Sequence, residues 1–381
     1  MRCEVRRDHI PVCEPLLGGN ELEYVQEAVR TGWISSAGSF LRRFETAFAT
    51  YCGTKHATAV TNGTSAVHLV LKAIDIRPGD EVIIPDFTMI SSAFPVCYLG
   101  ATPVFVDAER ETWNIDPGLI EEKVTEKTRA IMAVHIYGHP CDMDPILEVA
   151  RRRGLWVVED AAEVHGAEYH GRRCGNLGDI AAFSFFANKV VTTGEGGMVV
   201  TNDDRLMERC TYYKDLCFPS TGERTYRHED IGFQYRMSNL QAAIGVAQME
   251  KIDSYVEMRR TNNAMYRRFL HDVPGVCFQP ERAACKNVYW MSGIVIDQSA
   301  FGVDRDNLRR ELAAAGVQTR LFFAPMHRQP ALERHGCSCK GEYPVADWLA
   351  ANGMYLPSGS GLSAEDIEFV CGKIRDIQRT C

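Results

Sequence analysis

The sequence predicts an α/β protein: a large unit over residues 10–250, built on a mostly parallel sheet covered by helices, followed by a smaller α/β unit over 251–381. Three observations carry this. Short apolar runs alternate with helical stretches up to about residue 205, the pattern of parallel strands joined by helical crossovers. A strongly helical stretch, 239–269, then forms a bridge, and the remainder mixes one strand-like run with helices. No internal repeat, heptad array or low-complexity tract interrupts the order.

From the N-terminus, strands are expected at 57–60, 81–84, 103–106, 130–135, 155–159, 181–185 and 198–200, with helices such as 65–74 and 144–153 between them. In such sheets a ligand crevice lies outside the carboxyl ends of the strands. The segment 205–236 is polar and turn-rich, with Pro219-Ser220-Thr221-Gly222, and reads as a mobile loop that folds over the substrate or reaches a neighbouring active site. In the smaller unit, 288–296 is strand-like, and 305–315 and 364–377 are helical.

Composition limits the function. With 45% hydrophobic and 24% charged residues the 381-residue chain has the make-up of a soluble globular protein. A net charge of −8 argues against a nucleic-acid-binding surface. No apolar run approaches the ~20 residues that span a bilayer, and residues 1–8 lack the apolar core of a signal peptide. A cytoplasmic enzyme is the expectation. The 14 cysteines are dispersed, several in apolar settings such as that of Cys97, and no Cys-x-x-Cys pair occurs. Cys337-Ser338-Cys339 with His335 offers half a metal site at most; an exposed loop of reduced thiols, and no metal, is expected.

Chemistry concentrates around Lys189, which lies between the apolar runs 180–186 and 198–200. A lysine brought into a cleft between neighbouring strands loses solvation, its pKa falls, and its amine becomes a nucleophile able to form a Schiff base with an aldehyde cofactor. Asp160, 29 residues earlier, closes the run 155–158 at a strand-to-loop switch. A carboxylate there can keep the ring nitrogen of pyridoxal phosphate protonated, whereas Glu159 alternates to the other face. A third group is the turn Thr61-Asn62-Gly63-Thr64-Ser65 between a strand and a helix. Free N–H groups and the positive helix end suit an anion there. Ser184 adds a hydroxyl five residues before Lys189.

With these residues in place, the chain resembles the DegT family of pyridoxal-phosphate-dependent sugar aminotransferases, of fold type I. Landmarks run in the family's order: Gly32-Trp33-Ile34-Ser35-Ser36, Asn62-Gly63-Thr64-Ser65-Ala66, Pro85-Asp86-Phe87-Thr88, Glu159-Asp160-Ala161-Ala162-Glu163, Phe183-Ser184-Phe185, Thr192-Thr193-Gly194-Glu195-Gly196-Gly197 and Arg236-Met237-Ser238-Asn239-Leu240-Gln241. The runs Phe185-Phe186-Ala187-Asn188-Lys189, Val288-Tyr289-Trp290-Met291 and Phe322-Phe323-Ala324-Pro325-Met326-His327 are similar to those of members that aminate GDP-4-keto-6-deoxymannose. The segment 214–219 is similar to members that aminate an oxidised octulosonate sugar acid.

The resemblance implies that Lys189 anchors pyridoxal 5'-phosphate and shuttles the proton, that Asp160 binds the pyridine nitrogen, and that Glu163 bonds the phenolic oxygen. It further implies that Gly63, Thr64, Ser65 and Ser184 hold the phosphate. Met89 stands where many members stack an aromatic ring on the cofactor, and Gln234 where many place an Asn that reaches the phosphate from the neighbouring subunit. A homodimer with shared sites follows, with glutamate as amino donor and a keto sugar, nucleotide-linked, as acceptor, for surface polysaccharide. Members with His in place of the lysine dehydrate sugars, so Lys189 argues for transamination. A sugar dehydratase and a ligand-sensing protein of the same fold stay open as alternatives. Among the remaining polar residues, Arg320 and His327 are candidates for substrate contact, while His135 reads as a core residue and His139 and His165 as loop residues.

Overall fold

A computed structural model describes residues 9–219 and 225–380. Residues 220–224, part of the expected mobile loop, and residues 1–8, read above for a signal peptide, lie outside the described residues. The central sheet has seven strands: β1 (His56–Val60), β2 (Glu81–Pro85), β3 (Thr102–Val106), β4 (Thr128–Val134), β5 (Trp156–Asp160), β6 (Ile180–Ser184) and β7 (Gly197–Thr201), in the order β1-β7-β6-β5-β4-β2-β3. The pairs from β6 through β3 are parallel, and β7 runs antiparallel between β1 and β6. The strands are apolar on both faces because helices cover both. Their interior residues, such as Ile83, Ile131, Val158 and Val199, are fully enclosed.

Helices α1 (Glu21–Thr31) and α2 (Ser39–Cys52) pack with α6 (Asn239–Met249); α3 (Gly63–Ala73) lies over β6 and β7, and α4 (Met143–Arg153) follows β4. The segment expected as a loop begins with a further helix, α5 (Asp204–Lys214), which packs on α3. Asp203 caps it by accepting from the N–H groups of Arg205 and Leu206, and the buried Leu206, Met207, Cys210 and Tyr213 supply a helical stripe that its polar composition masked.

The helical bridge is two helices, α6 and α7 (Ile252–Leu270). The first turns of α7 put Ile252, Tyr255 and Val256 into the large core, while Tyr266 and Leu270 belong to a second core. That core also takes Ile10, α8 (Arg305–Ala314), α9 (Ala364–Thr380) and an antiparallel sheet of β8 (Val276–Phe278), β9 (Ser292–Ile296), β10 (Arg320–Leu321) and β11 (Gly353–Leu356), ordered β8-β9-β11-β10. The strand expected at 288–296 starts only at Ser292, because Tyr289 adopts φ 48° and turns the chain. Cys337 is buried with its sulfur 3.8 Å from that of Cys97, a correction to the exposed loop expected at 335–339; His335 and Ser338 are exposed. No helix among the described residues is long and apolar enough to cross a membrane.

Candidate active site

The carboxyl ends of β1, β2, β4, β5 and β6 open on one cavity of about 550 Å³, lined by Gly63, Thr64, Met89, Asp160, Glu163, Ser184, Lys189 and Arg320. Parallel strands make this convergence, because each delivers its following loop to the same edge.

The anion cup begins at the mouth of α3. Asn62 caps the helix: its side chain accepts from Ser65 N–H at 2.8 Å, while Ser65 Oγ accepts from Asn62 N–H at 3.2 Å. This capping box commits both polar groups of Ser65, which sits behind the cavity wall, and leaves the N–H groups of Gly63 and Thr64 at the positive end of the helix. Gly63 is required by contact. A Cβ there would lie 2.7 Å from Ser184 Cβ, so the helix mouth and the end of β6 form two walls of one narrow cradle.

Asp160 is buried at the end of β5 and held by neutral donors, Ser92 Oγ at 2.7 Å on one oxygen and Ala162 N–H at 3.2 Å on the other. Its charge is therefore free for a cationic ring nitrogen. Glu159 points the other way. It accepts from Leu177 and Gly178 N–H at 2.7 Å on one oxygen, and from Gly175 N–H at 2.7 Å and His135 Nε2 at 3.1 Å on the other. Burial opposes its ionisation, yet His135 and these N–H groups hold its pKa below the usual range. Cys174 sits in the same cluster with His135, but the donors on Glu159 and the Cys141 N–H on His135 Nδ1 use the lone pairs a metal would need.

Glu163 accepts from Tyr137 N–H at 2.7 Å. Burial pushes its carboxyl up to about 7, against the lowering influence of Lys189 and of that N–H. Lys189 is half-buried, and its pKa is lowered by desolvation, opposed by the nearby Glu163 and Asp160 charges. Its Nζ stands 3.6 Å from the ring centroid of Trp290. These groups suit pyridoxal phosphate: an anion cradle, a buried carboxylate and an amine of depressed pKa face one cavity.

Met89 and Arg320, both exposed, line the mouth, and Arg320 pairs with Tyr355 across β10 and β11. His327 does not line the cavity. Its Nδ1 lies 2.7 Å from Asp86 Oδ2 and its Nε2 3.3 Å from Asp347, and its ring stacks on Tyr343, so it fastens two segments together. Gln234 is exposed, bonds Arg236 at 2.7 Å, and is absent from its own chain's cavity lining. His165 is buried among Phe48, Phe183 and Phe185, with its pKa lowered to about 3 by desolvation. Sequence reasoning missed the roles of Ser92 and Trp290; Trp290 stood in a quoted run, and the need of a buried carboxylate for a donor was the signal for Ser92.

Residues 15–375 match the model of the DegT/DnrJ/EryC1/StrS aminotransferase family. The GDP-perosamine synthase of Escherichia coli O157:H7 is 43% identical over 368 residues, covering 97% of this chain and 98% of the relative. That of Caulobacter vibrioides is 44% identical over 369 residues, with the same coverage. Among solved structures, DesI in the presence of its TDP-sugar product superposes with a TM-score of 0.89 at 31% identity, covering 97% of this chain and 93% of that one. With this likeness along nearly its whole length and the lysine, carboxylates and anion cradle on one edge, the chain belongs to the DegT/DnrJ/EryC1/StrS family and is a pyridoxal-phosphate-dependent sugar aminotransferase of fold type I.

Proposed function

We propose that the enzyme transfers an amino group from glutamate to the keto carbon of GDP-4-keto-6-deoxymannose, giving an amino sugar for surface polysaccharide. The near-full-length identity to GDP-perosamine synthases supports the sugar. The observation that carries the reaction is the meeting of Lys189, Asp160 and Glu163 above the Gly63 cradle.

Pyridoxal phosphate, when bound, supplies an electron sink for the carbon that loses its proton. Gly63 and Thr64 N–H groups and the Ser184 hydroxyl hold the phosphate. Asp160 keeps the ring nitrogen protonated, and Ser92 fixes the carboxylate's direction. Glu163 orients the phenolic edge. Lys189 moves the proton at Nζ, taking it from the donor carbon in one half-reaction and returning one to the sugar carbon in the other. Desolvation lowers its pKa, which favours the neutral amine that takes the proton. Arg320 offers a fork of donors at the mouth for a donor carboxylate or a diphosphate.

A homodimer completes this reading, with the partner subunit's Gln234 reaching the phosphate. The exposed Trp33, Ile34 and Phe186, at 58%, 48% and 46% exposure, are apolar surface that such an interface would cover.

An absorbance spectrum before and after glutamate, then with a panel of nucleotide-linked keto sugars, tests the proposal. A band near the visible edge should disappear with glutamate and return with the GDP-linked sugar. Return only with a sugar on another carrier, or with an octulosonate, moves the substrate; a product without new nitrogen makes the enzyme a dehydratase.

A further inference from the structure

Two turns with left-handed backbone meet beside Lys189. Tyr137 has φ 55° and Gly138 φ 114°, and Tyr289, at φ 48°, immediately precedes Trp290. Val288 N–H donates to the Gly138 carbonyl at 3.1 Å. A Cβ at Gly138 would lie 2.6 Å from the Tyr289 nitrogen and 2.7 Å from that of Trp290, so only glycine lets the turns approach this closely. Left-handed backbone is costly for tyrosine and persists where the surroundings over-determine it. Here both turns point at the site: one gives its N–H to Glu163, the other presents the Trp290 indole.

That indole is fixed at its edge. Its N–H donates to the Asn188 carbonyl at 2.8 Å, and the Trp290 carbonyl accepts at 2.8 Å from Arg259, a buried guanidinium that also holds Ser360 at 2.9 Å. The ring face is left toward Lys189, with Nζ 3.6 Å from the centroid. Burial disfavours the ammonium, and a ring face counters this without a proton or charge of its own; the attraction is larger in a desolvated site than at the surface. Glu163 and Asp160 act in the same sense, Arg259 opposes them, Cys13 lies beside the same loop, and Glu195 and Arg320 line the cavity.

We propose that Trp290 is a positioning residue whose π face holds Lys189 Nζ once the freed amine has taken up a proton, favouring the ammonium and aiming it for its next proton transfer. The proposal rests on the aminotransferase reading only for the role of Lys189.

The test uses full-length enzyme freed of cofactor, treated with 1-fluoro-2,4-dinitrobenzene between pH 5 and pH 10, with arylation of Lys189, fluoride leaving, followed by peptide mass. This reagent does not titrate in that range and captures only the neutral amine, so the midpoint of the rate profile reports stabilisation of the ammonium, while the plateau at high pH reports access. In W290L the midpoint should move down and the rate at pH 7 rise about 3- to 30-fold. W290F keeps a ring face but loses the indole hydrogen bond, and should stay within about threefold of wild type. An unchanged midpoint in W290L, or W290F behaving like W290L, overturns the proposal. If circular dichroism shows W290L unfolded, protein grown on difluorotryptophan replaces it. That residue keeps shape and N–H but weakens the face: a faster rate at pH 7 with an unchanged plateau supports the proposal, and an unchanged profile overturns it. Neither cofactor nor sugar is present, so failure here leaves the aminotransferase reading standing, and failure of the spectral test leaves this one.

Discussion

Gly63→Ala isolates the contact that shapes the anion cradle. Gly63 opens α3, and alanine is the better helix former by up to about 1 kcal/mol, so local propensity alone predicts a gain in stability. Packing predicts the reverse. The new Cβ would lie 2.7 Å from Ser184 Cβ, 3.1 Å from its Oγ and 3.4 Å from its Cα, where carbons rest at about 3.5–4.0 Å. Roughly 1 Å must open between helix mouth and strand end, an overpacking that costs about 1–3 kcal/mol. Both walls carry groups assigned to the phosphate, so cofactor affinity should fall about 5- to 100-fold, at 1.4 kcal/mol per decade. The assay is spectroscopic titration of cofactor-free protein with pyridoxal phosphate, alongside thermal unfolding without it. Ser184→Gly removes the Cβ and Oγ that collide, so G63A/S184G should recover the steric part of the loss and show a coupling of about 1–2 kcal/mol in the double-mutant cycle. A strictly additive double variant, or a G63A that binds normally and melts higher, would refute the reasoning.

Ser92→Ala removes the hydroxyl donor from Asp160; a hydrogen bond to a charged group contributes about 1.5–3 kcal/mol, so cofactor affinity should drop about 10- to 100-fold by the same titration while the fold persists. In cofactor-free enzyme the Glu163 carboxyl titrates at about 7, raised from 4.5 mainly by burial. A raised folded-state pKa contributes stability that is complete below the unfolded value and is lost as pH rises through the folded one. Wild type should therefore lose stability between pH 4.5 and about 7 relative to Glu163→Gln, read from denaturant midpoints; parallel pH curves for the two proteins would contradict it. His327→Ala leaves the fully buried Asp86 without its imidazole partner and should cost up to about 3–5 kcal/mol of stability. Because His327 lies outside the cavity, KM for the sugar should change less than the melting temperature; a selective rise in KM with unchanged stability would return His327 to substrate contact.

The site was legible where a side chain follows directly from a strand end. Asp160 ends β5, Ser184 ends β6 and Gly63 opens α3 after β1, so apolar runs followed by a polar switch located them without long-range information. Ser65 shows the limit of that logic: its hydroxyl suits either an anion or a cap, and in the folded chain the cap takes it. His327 shows another, since neighbouring sequence cannot reveal that Asp86, 241 residues away, holds its ring at 2.7 Å. For α5 the reverse error arose. Its polar composition suggested a loop, although the spacing of Leu206, Cys210 and Tyr213 marked one buried face.

The residues hardest to read are those set by backbone that breaks a pattern. An apolar run over 288–296 suggests one strand, and a continuous strand would put successive side chains on alternate faces and carry Trp290 away from the lysine or its neighbours into it. The left-handed Tyr289 ends that alternation, and the aromatic cluster of Tyr137, Phe322, Phe323 and Trp290 packs the turn against the large unit. The groups proposed to hold the cofactor thus stand at strand ends of the parallel sheet and on the loop after β6, while Trp290, Arg320, Phe323 and Tyr355 bring the opposite wall from segments beyond α7. Substitution on that second wall can alter which sugar is admitted without disturbing Asp160, Ser184 or the Gly63 cradle. Exchanging Arg320 and Tyr355 should accordingly shift KM among sugar nucleotides while leaving the spectral response to pyridoxal phosphate unchanged. A loss of cofactor binding in those variants would show that the two walls are one mechanical unit.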